Sequence, residues 1–447
     1  MQRAATGEKK AIDLTSAHRW FLLILVSVGS STIYAPAYLK NTFYDAQMSS
    51  LQITNAQVGG LLSAYAITAT ICYLPSGLVA DRVRVRTLSA AGFILTSLLT
   101  VLYAMLPSYG VLVALFIGMG VTTILIWWGV RYKLVRLISE EKDYSKNIGL
   151  SYGFYGAAGL VVGLLGTWIL SALGDNQQVA FRTFLLVLAG LIFVLGVLSY
   201  LFIPKFEGEL LPTNRPMEVI LDALRSLANP VVLICAVTMF FVYFFYTGIT
   251  YTTPFLKNVV GASDNMTNIV SVFRTYGVTL LAGPVFGALA HKAKSPSRII
   301  WIGSAIMVAG LATLALMPMN SGMVFVVVVL AIGLGFIANG VFGIVSAQLT
   351  EGKVALSTFG AATGVVSVVG FLPDSFSSTW FGSMLDAKPE GIEQGPIYSQ
   401  IFWILAASAL IAAAAAMALR WYVKKNSDNL IVAQAEAEAA VVAARAA

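Results

Sequence analysis

Two ionisable side chains stand deep inside apolar runs of this sequence. Arg274 lies in S-V-F-R-T-Y-G-V-T-L-L-A-G-P, eight residues into a run that starts at 266, and Asp374 lies in V-V-G-F-L-P-D-S-F-S-S-T-W. At about 1.5 Å of rise per residue, Arg274 falls near the middle of a bilayer. A charge at that depth is costly unless it faces a cavity or a partner. Arg274 therefore reads as an anion-binding or coupling residue, or as half of a structural ion pair. Pro373 removes a helical hydrogen bond just before Asp374. Asp374 is a candidate proton carrier, since burial raises and a nearby cation such as Arg274 lowers the proton affinity of a carboxylate. It reads equally as a fixed partner of Arg274.

A second basic group ends another apolar run in W-W-G-V-R-Y-K-L-V-R, which holds Arg131, Lys133 and Arg136. On a helix, positions 131 and 133 point about 200° apart, so they cannot both face one cavity squarely. Either Arg131 or Lys133 is expected to reach a substrate cavity, or all three are inner-surface charges that snorkel toward headgroups. Tyr34, Tyr38, Tyr243 and Tyr246, with Trp127, are candidate substrate contacts, because an aromatic ring with one polar handle suits a polar organic ligand. Belts of interfacial aromatics explain some of them equally well. Lys40 and Lys257 end two runs and form either a basic rim that attracts anions or plain boundary anchors.

The elements that carry these residues follow from composition. The chain has 447 residues, is 58% hydrophobic and only 11% charged, too little charge to coat a soluble domain. Apolar runs fall at about 21–43, 57–80, 86–106, 109–136, 147–173, 180–203, 229–256, 266–290, 298–317, 321–347, 355–385 and 397–421. These lengths predict twelve transmembrane helices and an all-α membrane protein. Met1 to Trp20 is polar, and the apolar run that follows lacks a small-residue cleavage site, so this first run is expected to stay as a span. The net charge of +7 does not point to nucleic acid, because the basic residues cluster in alternate loops, the pattern of cytoplasmic loops. Both termini are therefore expected in the cytoplasm. Cys72 and Cys235 sit in apolar runs, and His18 and His291 have no neighbours at metal-ligand spacing. No metal, cofactor or nucleotide motif is visible, and ATP-driven pumping would need another chain. Gly153, Gly156, Gly159, Gly163 and Gly166 give the fifth run a glycine ridge, expected to be a packing seam.

The chain repeats itself. Y-A-P-A-Y-L-K-N (Tyr34 to Asn41) is echoed by Y-T-T-P-F-L-K-N (Tyr251 to Asn258), and G-L-V-A-D-R (Gly77 to Arg82) by G-A-L-A-H-K (Gly287 to Lys292). Two related membrane halves are the mark of a carrier with its site between them. The turn G-L-V-A-D-R-V-R-V-R resembles the signature loop of the major facilitator superfamily. Gly77, Asp81, Arg82 and Arg86 match the pattern, whereas Arg84 stands where that family usually has Gly. The resemblance covers about 20–423. It implies two six-helix bundles rocking about a central cavity, lined by helices one, four, seven and ten, with Gly77, Asp81, Arg82 and Arg86 as gating residues. An Asp in such a turn can clamp a neighbouring helix end in one state and release it in the other. The alternative is plain inner-surface topology. The basic fourth run extends the likeness loosely to carriers of organic anions, sugar acids and organophosphates.

The expected organisation is a tail at 1–20, a six-helix bundle at 21–203, a linker at 204–228 with a short amphipathic helix or a flexible chain, a second bundle at 229–423 and a tail at 424–447. A frayed end is expected for the tail. The expected function is secondary active transport of a small organic anion by alternating access, coupled to protons, in a bacterial inner membrane. The partners expected are the anion, protons and membrane lipids, with the monomer as functional unit. Anion exchange without protons, export of drugs or lipids, and a non-transporting receptor or scaffold are the alternatives.

Overall fold

The computed structural model describes residues 8–140, 143–210, 225–387 and 393–446. It is built of helices; the one β-bridge among the described residues pairs Lys9 with Phe206. In chain order the helices are α1 (Ser16–Tyr34), α2 (Lys40–Leu51), α3 (Asn55–Arg82), α4 (Val85–Ala104), α5 (Tyr109–Ile138), α6 (Tyr144–Ala172), α7 (Gln177–Phe202) and α8 (Pro230–Asn258). There follow α9 (Asp264–Ala293), α10 (Pro296–Leu316), α11 (Val324–Ile344), α12 (Ala347–Glu351), α13 (Leu356–Gly370), α14 (Ser377–Asp386), α15 (Gly395–Lys425) and α16 (Ser427–Ala446). Each of the twelve apolar runs falls on helix. Among the described residues, ten helical stretches are long and apolar enough to cross a membrane, and α3, bent by 60° between Asn55–Tyr73 and Pro75–Arg82, makes an eleventh. α1 supplies the remaining run. The protein is thus an all-α, multi-pass membrane protein.

Local sequence starts these helices where expected. Thr15 accepts the His18 N–H at 3.2 Å. Thr54 and Gln57 cap each other reciprocally at the start of α3. Asn176 and Ser263 accept the first free N–H groups of α7 and α9, and Pro230 and Pro296 open α8 and α10, where a missing N–H is harmless. The linker expected at 204–228, as a short amphipathic helix or a flexible chain, lies for the most part outside the described residues. The C-terminal tail forms α16 rather than a frayed end, which suits its run of alanine and glutamate.

Contacts divide the chain into two compact units. One holds Met1–Thr213 together with Ser263–Leu280 and Ser378–Ala387; the other holds Asn214–Ala262, Leu281–Ser377 and Lys388–Ala447. The first unit includes the start of α9 and nearly all of α14. The glycine ridge of α6 receives that part of α9: a Cβ at Gly159 would stand 2.1 Å from the Tyr276 ring, and one at Gly163 would stand 2.7 Å from Val272. Only glycine lets the two backbones approach so closely. At the far end of the same unit, Asp386 caps α3, accepting the Asn55 N–H at 3.1 Å and the Ala56 N–H at 2.7 Å. In the second unit, Glu351 does the same for α10, accepting from the Ser295 hydroxyl at 2.5 Å and the Ser297 N–H at 2.8 Å.

Among the described residues, two spans contain π-wound stretches. Val121–Trp128 in α5 and Phe273–Gly277 in α9 are wound as π-helix. Such wide turns are rare and concentrate at functional sites. Here one lies just before Arg131 and the other contains Arg274.

Candidate functional site

In the first unit, α5 carries Arg131 into a nest of tyrosines. Its guanidinium lies 4.5 Å from the Tyr152 ring centre, 5.3 Å from Tyr155 and 5.6 Å from Tyr132. Tyr152 and Tyr155 are three residues apart on α6, so one face of that helix presents both rings. The Tyr132 and Tyr152 hydroxyls are 3.2 Å apart. Arg131 is only 5% exposed, and its Nη2 has no hydrogen-bond partner among the described residues. Among the described residues it forms no salt bridge. The ring faces offset part of the desolvation of the cation, but they do not satisfy a guanidinium N–H that points at no acceptor.

Tyr34 extends this region: its hydroxyl donates to the Thr123 carbonyl at 3.4 Å, and the Tyr65 hydroxyl lies 2.8 Å from the Thr123 hydroxyl. Tyr38 packs edge-on against Tyr65 at 5.3 Å. Trp127 is buried against Phe93 at 4.4 Å, on the side of α5 that meets α4.

Lys133 takes a different place. Its Nζ donates to the Ala80 carbonyl at 2.5 Å and lies 3.4 Å from Asp81 Oδ1. It thereby neutralises the C-terminal end of α3, where free carbonyls favour a cation. Of the two basic residues read as alternatives, Arg131 is the one set among tyrosines and Lys133 the one tied to the signature turn. In that turn, Gly77 and Arg82 are exposed, and Arg86 lies over the Tyr200 ring at 4.3 Å. Arg84, which departs from the family pattern, holds Glu8 at 2.6 Å and Glu209 at 3.4 Å. The hydrogen bond that this guanidinium donates to the Glu8 carboxylate raises its proton affinity.

Arg274, 2% exposed, donates through Nη2 to the Asn41 carbonyl and lies 3.3 Å from the Thr275 hydroxyl. It too belongs to the first unit. Asp374 belongs to the second, also 2% exposed, and its Oδ2 accepts from the Tyr243 hydroxyl at 2.7 Å. Tyr243 packs against Phe371 at 4.8 Å and Tyr246 at 5.7 Å, and Tyr246 stacks on Phe342 at 4.7 Å. The structure thus gathers Tyr243, Tyr246 and Asp374 in one group, and Arg131 and Tyr34 in another.

Tyr132, Tyr152 and Tyr155 were not singled out by sequence. The signal was present in the i,i+3 pair Tyr152 and Tyr155, but nothing in the order of residues says that α6 meets α5 at Arg131. Arg131 offers a free, desolvated, charge-assisted donor beside hydroxyls that both donate and accept. That arrangement suits an oxyanion.

The description Major Facilitator Superfamily belongs to the family model that matches residues 20–378. The chain is 26% identical over 378 residues to the Inner membrane protein YqcE of Escherichia coli (strain K12), covering 84% of this chain and 89% of that one. It is also 26% identical over 428 residues to the Inner membrane protein YihN of the same organism, covering 93% and 99%. Among solved structures it is similar to a bacterial homologue of the human lysosomal transporter Spinster in an inward-facing, unoccupied conformation, with a TM-score of 0.72 and 17% identity over 92% of this chain and 99% of that one. The nucleoside transporter NupG gives a TM-score of 0.71 and 16% identity over 90% and 99%. At such identities the structures speak for the fold alone.

Proposed function

The chain belongs to the Major Facilitator Superfamily and is a transporter, not an enzyme; from that premise we propose that it carries a small organic anion across a bacterial inner membrane. The observation that carries this reading is Arg131, a buried guanidinium with one unpartnered nitrogen inside a nest of tyrosines. A carboxylate, phosphate or sulfonate headgroup would accept from Nη2 and from the neighbouring hydroxyls, and the rings would flank the organic part of the cargo. Arg274, in its π-wound segment, is the second candidate for the anionic group.

Proton coupling is assigned to Asp374. A buried carboxylate that accepts from the Tyr243 hydroxyl can change its protonation when burial or a neighbouring charge changes, as alternating access requires. The six-and-six arrangement, 21–203 and 229–423 about the linker 204–228, is the frame in which this would occur, with Gly77, Asp81, Arg82 and Arg86 as the inner gate and a monomer as the working unit. The clustering of basic residues in alternate loops supports a topology with both termini in the cytoplasm. Cysteines at Val83 and Asp175 should then label from opposite sides of the membrane; labelling from one side rejects the topology.

The test of function is flux in proteoliposomes. Purified protein should move at least one member of a panel of sugar acids, phosphorylated sugars and small sulfonates, and Arg131→Ala should abolish that movement in folded protein. Transport of lipophilic cations instead, or unchanged anion flux in the variant, rejects the anion reading. No flux with any solute would favour a receptor or scaffold.

A further inference from the structure

The transport reading leaves one part of the first unit unused. The chain just before α1 runs beside the chain just after α7. The Lys9 N–H donates to the Lys205 carbonyl at 2.8 Å, and the Glu207 N–H donates to the Lys9 carbonyl at 3.1 Å. Lys10 adds an ion pair to Glu207 at 3.3 Å between two half-exposed side chains. This pairing sets Glu8 on Arg84, with 2.6 Å between Oε1 and Nη2.

The two carboxylates on Arg84 differ in permanence. The Glu209 side chain is wholly buried; besides Arg84 it accepts the Val85 N–H that opens α4 and, at 3.2 Å, the Phe206 N–H. Removing it from those donors would leave a buried charge and buried N–H groups unsatisfied. The Glu8 side chain is 23% exposed and its pair with Arg84 is open to water and salt. Arg84 thus has one fixed partner and one that can leave. A glycine at this position could hold neither.

We propose that residues 8–10 form a releasable strap on the signature turn: Glu8 bound to Arg84 restrains the turn between α3 and α4, and loss of Glu8 or added salt frees it. Glu209 keeps α4 capped in both conditions, so release loosens the turn without unfolding the helix. The strap acts on how fast the turn rearranges and leaves the surroundings of Arg131 as they are. It stands independently of the identity of the cargo.

The test is amide hydrogen exchange by mass spectrometry on the full chain in lipid nanodiscs, following peptides that cover 79–90. Glu8→Gln removes the releasable charge from a partly exposed site. Arg19→Gln breaks the Arg19–Glu140 pair, at 3.1 Å in the same unit, and serves as the control. Exchange in the turn should be roughly two- to five-fold faster in Glu8→Gln, the factor set by a partly exposed ion pair. Wild type should approach the Glu8→Gln rate as salt rises from about 0.05 M to about 0.5 M, over which the screening length shrinks well below 10 Å. Arg19→Gln should match wild type. Wild-type protection in Glu8→Gln, a wild type indifferent to salt, or equal acceleration in Arg19→Gln would each overturn the proposal.

Discussion

Arg131 and Asp374 are both charged, both almost wholly buried and both touched by tyrosine, yet tyrosine meets them by different parts. Around Arg131 the contact is through ring faces, at 4.5 to 5.6 Å. A ring face steadies a cation without using up its N–H donors. At Asp374 the contact is through the hydroxyl, at 2.7 Å, which occupies an acceptor directly. The first arrangement keeps a donor available for a ligand. The second ties a carboxylate to a group that can let go when the carboxylate takes a proton. On the proposed function, the same residue type would build an anion receptor in one unit and a proton-sensitive contact in the other.

The comparison breaks most severely at Arg131. Arg131→Ala should reduce anion transport at least about a hundred-fold in every transport mode, as expected for truncating a buried group that pairs directly with a charge. Proteoliposome uptake and counterflow should both be lost. Arg131→Lys should recover little, because a point charge cannot reproduce the planar donor set among the rings. Retained counterflow in Arg131→Ala would remove the receptor from this position.

Asp374→Asn should separate the modes instead of abolishing them. Uptake driven by an imposed pH gradient should fall to background while counterflow continues. Full gradient-driven uptake would make Asp374 structural, and loss of both modes would put it in the binding site. Tyr243→Phe removes one hydrogen bond at the same carboxylate and keeps the ring packing against Phe371. Gradient-driven flux should drop by about three- to ten-fold, in line with the ordinary net contribution of one hydrogen bond, and melting of the purified protein should show the fold retained. The smallest effect belongs to Tyr152→Phe, which keeps the ring face over Arg131 and deletes only the hydroxyl. Anion affinity should change by less than about five-fold; a loss as large as that of Arg131→Ala would mean that the hydroxyl, and not the ring, is what matters there.

Much of this protein is legible in its sequence, for identifiable reasons. The spans announce themselves because lipid demands long apolar runs whose backbone is satisfied internally. Arg274 and Asp374 stand out because charges in such runs are rare. What sequence could not assign is which of Arg131 and Lys133 lies among tyrosines. Their azimuths differ, but the choice depends on where α3 and α6 pack. Lys133 is drawn to the Ala80 carbonyl and Asp81 at the end of α3, and Arg131 is left to the rings of α6. Glu8 and Glu209 were equally hidden, since they meet Arg84 from positions more than seventy residues away in either direction. Long-range polar pairing leaves no periodicity to read.

The π-wound stretch Val121–Trp128 also alters how α5 must be drawn as a helical wheel. A wide turn takes in about one residue more than an α turn, so every position beyond it is out of phase with those before it by about 100°. Trp127 lies within that slip and Arg131 beyond it. Deleting one residue within the stretch would let α5 relax to an even winding and keep all of its side-chain chemistry, yet swing Arg131 away from Tyr152 and Tyr155. A single-residue deletion there should therefore act like the loss of Arg131, and a compensating insertion just after Trp128 should restore it. The angular register of this span, as much as its composition, is what puts the charge where it stands.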